Sequence, residues 1–230
     1  MKSLLSGLLI ISSLQIANAA STDTVKLPIV ITAEPIEARV VEIRMTGPVT
    51  NAIADTKKKR KLETLPLIRR GVCSGAFINS NGDILTAKHC VTGFETFEVL
   101  THDQRTYSAT VVSTSAVHDL ALLHVDRRNT AYFQLASNSI RGQKVFILGS
   151  PLGITNTLST GIIAKIEGDF TLLDCSALPG NSGGPVFDVN GHLVGVLNAG
   201  YVVMFGVTHL NQALSLDAVH FFLKKALEKK

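Results

Sequence analysis

From Val40 onward the chain alternates short apolar runs with turns rich in glycine, asparagine and serine. The runs at Val40–Met45, Gly75–Ile78, Ile84–Ala87, Phe97–Thr101, Tyr107–Ser113 and Leu120–Val125 read as strands. So do Lys144–Leu148, Thr157–Ile166, Thr171–Leu173, Pro185–Asp188, His192–Ala199 and Val202–His209. This rhythm predicts an all-β fold. Only Asp217 to Lys229 has a helical period: Asp217 is placed to cap it, Val219, Phe222, Leu223 and Leu227 form a stripe, and lysines close its last turns. The polar stretch Ser137–Gln143 divides the strands into two sets of about six, which predicts two barrels. The expected division is an N-terminal segment over 20–70, a first barrel over 71–137, and a second barrel with the helix over 138–230. No internal repeat is evident.

The start of the chain changes the picture of where the protein works. Lys2 supplies a basic head, Leu4 to Ile16 an apolar stretch too short to span a bilayer, and Ala17-Asn18-Ala19 a small-residue cleavage site. Residues 1–19 therefore read as a cleaved signal peptide, with export to a periplasmic or extracellular compartment and no membrane anchor. Removing them takes away one lysine and no acid, so the formal charge of +4 becomes +3. That balance is too mild to name a partner. The run Lys57-Lys58-Lys59-Arg60-Lys61 reads as a solvated loop, and without interleaved aromatics it does not point to nucleic acid. The histidines at 89, 102, 118, 124, 192, 209 and 220 have no metal-ligand spacing, so no metal or other cofactor is expected.

Three cysteines remain to be placed. Cys73 and Cys90 flank a hairpin whose turn is Asn79-Ser80-Asn81-Gly82-Asp83, which can bring the two sulfurs together in an oxidising compartment. Cys175 reads as a small buried apolar residue.

The candidate chemistry lies in three motifs. Gly180-Asn181-Ser182-Gly183-Gly184-Pro185 surrounds a serine with glycines, whose backbone freedom lets N–H groups converge on one point. On its own such a run is equally a turn between strands. Leu85-Thr86-Ala87-Lys88-His89-Cys90 puts a histidine at the end of an apolar run, and His118-Asp119-Leu120-Ala121-Leu122 puts a carboxylate before another. A serine hydroxyl needs a base to take its proton, and the base needs an orienting group. The order His, Asp, Ser along the chain is one of the orders in which that set recurs.

These motifs, with Gly149-Ser150-Pro151-Leu152-Gly153, Thr160-Gly161-Ile162-Ile163 and Leu193-Val194-Gly195-Val196, resemble the trypsin-like serine peptidases of the chymotrypsin fold, and within them the HtrA/Deg branch. The likeness runs from about Gly71 to the C-terminus. It implies two perpendicular six-stranded Greek-key β-barrels and a C-terminal helix. It implies Ser182 as nucleophile, His89 as general base and then acid, Asp119 as orienting carboxylate, and the N–H groups of Gly180 and Ser182 as an oxyanion hole. The strand at Asn198, Ala199 and Gly200 resembles the one that pairs with substrate backbone. Ser176 matches the base of the S1 pocket, where no acid stands, and Leu197 replaces the histidine of glutamate-specific relatives; small or medium apolar P1 residues are expected. The PDZ domain that follows the peptidase in HtrA/Deg enzymes has no counterpart before the sequence ends, and the Cys73/Cys90 pair follows the animal trypsin pattern instead. Asn181 stands where zymogen-activated trypsins have an Asp that pairs with a new N-terminus, so activity without such a cut is expected. The function implied is an exported serine endopeptidase acting on proteins or peptides. A non-catalytic binding or holdase module and an esterase with the same triad are the alternatives.

Overall fold

The apolar runs fall on twelve strands in the computed structural model, though the run expected at Val202–His209 is split, Val202 and Val203 ending one strand and Gly206 opening the next, which continues to Ser215; the structure describes residues 34–49, 68–203 and 206–228, side chains of 34–35, 199–203 and 206–209 excepted. The expected signal segment 1–19 and the basic run Lys57–Lys61 lie outside the described residues. A short helix, α1 (Glu34–Glu37), precedes β1 (Val40–Pro48), β2 (Ile68–Phe77), β3 (Asp83–Thr86), β4 (Thr96–Thr101), β5 (Thr106–Thr114) and β6 (Ala121–Val125). These six strands close into a barrel in the order β1-β2-β3-β6-β5-β4. A second barrel, β10-β11-β12-β9-β8-β7, is built from β7 (Lys144–Gly149), β8 (Thr157–Glu167), β9 (Phe170–Asp174), β10 (Pro185–Phe187), β11 (Leu193–Val203) and β12 (Gly206–Ser215). The chain ends its described part in α2 (Leu216–Leu227).

Successive residues of a strand face opposite sides, and here both sides are used. Val41, Ile43, Ile84, Val99 and Leu123 fill the first barrel. Val145, Ile147, Ile163, Leu173 and Val186 fill the second. The opposite faces supply a third core: Val40, Ala76 and Leu122 meet Phe146, Leu148, Phe187 and Val196, with Val219 and Phe222 of α2 packed on them. Each such side chain contributes roughly 1.5–3 kcal/mol when fully buried. Two-sided burial explains why several strands read as unbroken apolar runs. It also fixes how the loops at the barrel junction face one another.

The expected barrel boundary and helix cap need correction. The first barrel includes β1, upstream of the boundary expected at 71, because β1 pairs with both β2 and β4 and closes the wall. Arg69 and Arg70 are exposed and lie inside β2, opposite Gly47 and Thr46. β3 stops at Thr86, and Cys90 ends the 3₁₀ turn Lys88–Cys90 that follows it. The cap of α2 is Ser215, whose Oγ accepts from the Ala218 N–H at 3.3 Å; Asp217 sits within the first turn, where its charge still favours the helix N-terminus.

Candidate active site

The elements at the barrel junction bring His89, Asp119 and Ser182 to one place from three loops. His89 sits in the 3₁₀ turn after β3. Its neighbour Cys90 is disulfide-bonded to Cys73 in β2, with Cα atoms 6.1 Å apart, so the turn is covalently tied to the next strand. Asp119 ends the β5–β6 loop. That loop is closed by Ser115 N–H donating to Leu120 O at 2.9 Å, and by the N–H groups of Val117 and His118 donating to Ser115 Oγ at 3.3 and 3.0 Å.

The two side chains meet directly. His89 Nδ1 lies 2.6 Å from Asp119 Oδ2, and the His89 backbone N–H donates to Oδ1 at 2.7 Å. A carboxylate only accepts, so Nδ1 carries the proton and Nε2 is left as a bare acceptor. Burial pushes the Asp119 pKa up, but the hydrogen bond and charge of the His89 ring, with backbone N–H groups of His89 and Lys88, outweigh it and hold the carboxyl below its usual 3.8. Asp119 is therefore anionic at neutral pH.

Ser182 arrives from the second barrel. Its turn is held by Asn181 N–H on Leu178 O at 3.0 Å, Gly184 N–H on Asn181 O at 2.9 Å, and Gly183 N–H on Leu197 O at 2.8 Å. Gly183 has φ +81°, and a Cβ there would collide with Thr86 Oγ1 and lie 2.5 Å from Ser74 O, so only glycine lets this turn approach the first barrel. Ser182 Oγ points to Asn198 O at 3.4 Å, and among the described residues no hydrogen bond joins it to His89.

Gly180 has φ +105°, and among the described residues neither its N–H nor that of Ser182 donates to a protein acceptor. Both donors are thus available to a bound oxyanion. Around them runs a buried network the sequence did not announce. Ser74, fully buried in β2, gives its N–H to Ser182 O at 2.8 Å and its hydroxyl to Gly180 O at 2.8 Å, and accepts from Ser150 N–H at 2.9 Å. The local signal was a lone serine in the short run Val72–Phe77. Lys88, an oddity beside the histidine, donates through Nζ to Ser115 O at 2.8 Å and so ties the His89 turn to the Asp119 loop.

The remaining candidates are placed as follows. Asn181 is buried, and its Oδ1 has no hydrogen-bond partner among the described residues. Ser176 is exposed, its carbonyl accepting from Ser159 Oγ at 2.7 Å. Leu197 is buried in the second barrel's core, and Asn198, Ala199 and Gly200 lie in β11, where Ala199 and Gly200 pair with β12 and Asn198 falls at a shift in register. Cys175 is a buried free thiol whose pKa burial, with the nearby Asp174 charge, pushes up to about 12. Ligand atoms of Cys73, His89 and Cys90 lie within 4.8 Å of one another, but the two sulfurs are bonded to each other and offer no thiolate. No helix among the described residues is long and apolar enough to cross a membrane.

Two closed antiparallel barrels with a His–Asp pair on one and a glycine-flanked serine on the other define the class of trypsin-like peptidases. Residues 73–196 match the family model of the trypsin-like peptidase domain, and the chain belongs to that family. It is 32% identical to a protein described as a DegP-like periplasmic serine endoprotease from Halomonas elongata, over 65% of this chain and 34% of that one. It is 31% identical to Protease Do-like 1, chloroplastic, of Arabidopsis thaliana, over 66% of this chain and 38% of the relative. The chain thus spans little more than a third of the length of these relatives. Among solved structures, an HtrA-type protease with a decapeptide superposes with a TM-score of 0.74 at 24% identity, covering 86% of this chain and 67% of that one. A serine endoprotease from Yersinia pestis gives 0.70 at 23% identity, covering 85% and 65%. Those two likenesses bear on the fold.

Proposed function

We propose that this protein is an exported serine endopeptidase that cleaves proteins or peptides through an acyl-enzyme. The observation that carries the reading is the His89–Asp119 pair held at 2.6 Å beside the Gly180–Pro185 turn. In this reading Ser182 Oγ rotates from Asn198 O toward His89, gives its proton to Nε2 and attacks the substrate carbonyl. Asp119 holds the imidazole in the tautomer that leaves Nε2 free and stabilises the imidazolium once formed. The N–H groups of Gly180 and Ser182 receive the oxyanion, and one such donor is typically worth about 10²–10³ in rate. His89 then protonates the leaving amine, and water, deprotonated by the same imidazole, releases the acyl group. Asn198, Ala199 and Gly200 would offer backbone to an extended substrate.

Asn181 supports assembly of this site without an N-terminal cut, since a neutral buried amide needs no ammonium partner. No acid at Ser176 disfavours Arg or Lys at P1, and a core-buried leucine at 197 in place of a histidine disfavours Glu, which leaves small or medium apolar P1 residues. The sequence 1–19 and the periplasmic description of the Halomonas relative support export. Labelling by a fluorophosphonate probe, with Ser182→Ala as control, tests the reading. No Ser182-dependent labelling of folded protein sinks it and favours a binding module. Cleavage-site mapping on a denatured proteome tests the rest: P1 positions dominated by Arg, Lys or Glu would overturn the pocket assignment, and hydrolysis of esters alone would leave an esterase.

A further inference from the structure

We infer that Ser74 is a positioning residue for the oxyanion hole, an inference that rests on the peptidase reading above. Gly180 is the donor with the most freedom to turn away. It has no side chain, sits at φ +105°, and follows a proline, so nothing in its own chemistry keeps its N–H aimed at the site. What resists rotation is the anchoring of the two carbonyls that flank its Cα. Pro179 O accepts from Leu152 N–H at 2.7 Å, and Gly180 O accepts from Ser74 Oγ at 2.8 Å. In a trans peptide the N–H points opposite to the carbonyl of the same plane. Holding Pro179 O therefore sets the direction of Gly180 N–H, and holding Gly180 O stops the plane from swinging about the Gly180 backbone bonds.

The hydroxyl that does the second task is itself fully determined. Its oxygen already accepts from Ser150 N–H at 2.9 Å, so its single proton is directed to Gly180 O. The Ser74 backbone is held on both sides, by N–H on Ser182 O at 2.8 Å and by C=O accepting from Thr86 Oγ1 at 2.8 Å. Every polar group of this buried residue is used, and three of its four bonds reach loops of the second barrel. Ser74 also follows Cys73, whose disulfide leads to Cys90 beside His89. One continuous path thus joins the base to the oxyanion donors. The room around Ser74 is limited: a Cβ on Gly149 would lie 2.7 Å from its Oγ, and one on Gly184 would lie 3.2 Å from its Cβ.

The test compares wild type, Ser74→Ala and Ser74→Thr, with Ser182→Ala as the control for the chemistry. For Ser74→Ala we expect kcat to fall about 10²-fold, the low end of the loss for one oxyanion donor, with KM within about threefold of wild type. Affinity for a peptide aldehyde, which forms the oxyanion, should fall in parallel, while affinity for the matching product peptide stays put. Ser74→Thr, which returns the hydroxyl, should keep the aldehyde-to-product affinity ratio within about threefold of wild type. A purely structural role would lower the melting temperature without moving that ratio, and an unchanged ratio in Ser74→Ala overturns the inference. A Thr variant that melts at the wild-type temperature yet loses the ratio as fully as Ala also overturns it. If wild type shows no Ser182-dependent labelling, the peptidase reading fails and takes this one with it; if wild type is active and Ser74→Ala behaves like it, only this inference falls.

Discussion

Replacing both Cys73 and Cys90 by alanine should destabilise the protein by about 3 kcal/mol through chain entropy alone. The bridge spans a sequence separation of 17, and the loop-closure estimate for a loop of that size is of this order. The reactive-site loops hang on the same link, since Cys90 follows His89 and Cys73 precedes Ser74. Both cysteines are buried in the first barrel's core, so lost packing adds to the entropic loss. For a unit of about 200 residues each kcal/mol corresponds to roughly 2–4 °C, so the melting temperature should drop by about 6–12 °C. The assay is thermal unfolding by circular dichroism of wild type and the double variant, each with and without reductant. Reductant should move wild type toward the variant and leave the variant where it is. Thiol counting supplies the internal check: Cys175 is buried with its pKa at about 12, so the native oxidised protein should react slowly with alkylating reagents and the unfolded oxidised protein should expose one thiol. A shift below about 2 °C, or three thiols in the unfolded non-reduced protein, would refute the reasoning.

Asp119→Asn should lower kcat by about 10⁴, because an amide facing Nδ1 favours the wrong imidazole tautomer; a loss under tenfold in steady-state kinetics would exclude the assigned role. The folded pKa of Asp119 lies below its ordinary value, so the stability it confers is present above about pH 4 and is lost as pH falls through the lower folded value. Denaturant titrations should accordingly show the gap between wild type and Asp119→Asn closing below pH 4. Asn181→Asp places a carboxylate where Oδ1 has no partner, and should cost about 3–5 kcal/mol at pH 7, the scale for an uncompensated buried charge; equal urea midpoints would show that a cation reaches the site. Lys88→Met removes the donor to Ser115 O and should reduce kcat more than it raises KM, with Lys88→Arg recovering most of the loss. Asp103 is held at about 2 chiefly by its hydrogen bond from Arg127, so Arg127→Ala should return its carboxyl toward 3.8 in an NMR titration.

The strands were legible because their pattern has one cause. Residues such as Ile84, Leu122 and Ile147 are buried wherever their strand goes, so apolar runs marked all twelve elements. Their ends were less legible. β2 begins at Ile68, with Arg69 and Arg70 exposed along it, and pairing with β1 extends a strand past the point where side chains report burial. The helix cap moved from Asp217 to Ser215 for a related reason: both residues can cap, and the end of β12 decides which one stands at the turn. His89, Asp119 and Ser182 were visible as motifs because chemistry restricts their neighbours. The contacts of Ser74, Ser150 and His118 were not legible, since they run across 76 positions, as from Ser74 to Ser150, or between barrels, as from His118 to Asp169.

That difference has a physical consequence for how the site is held. The groups that touch substrate in the proposed mechanism come from both barrels, yet the third core between them is apolar and non-directional. It can hold the barrels together without fixing their alignment to the fraction of an ångström that proton transfer needs. Directional contacts have to supply that precision, and they cluster around the reactive loops. Ser74 binds Gly180, Ser182 and Ser150. On the far side of the base, His118 Nε2 lies 3.0 Å from Asp169 Oδ2 in the β8–β9 turn, and its ring meets Phe221 of α2 edge-on at 5.8 Å. His118 adjoins Asp119, so the loop bearing Asp119 is docked on the barrel bearing Ser182. The His118 Nδ1 is buried, with no hydrogen-bond partner among the described residues. A change at either junction should therefore act on the distance from Ser182 to His89 before it acts on the fold. With Ser182 Oγ resting on Asn198 O, that distance is the quantity the site has to control.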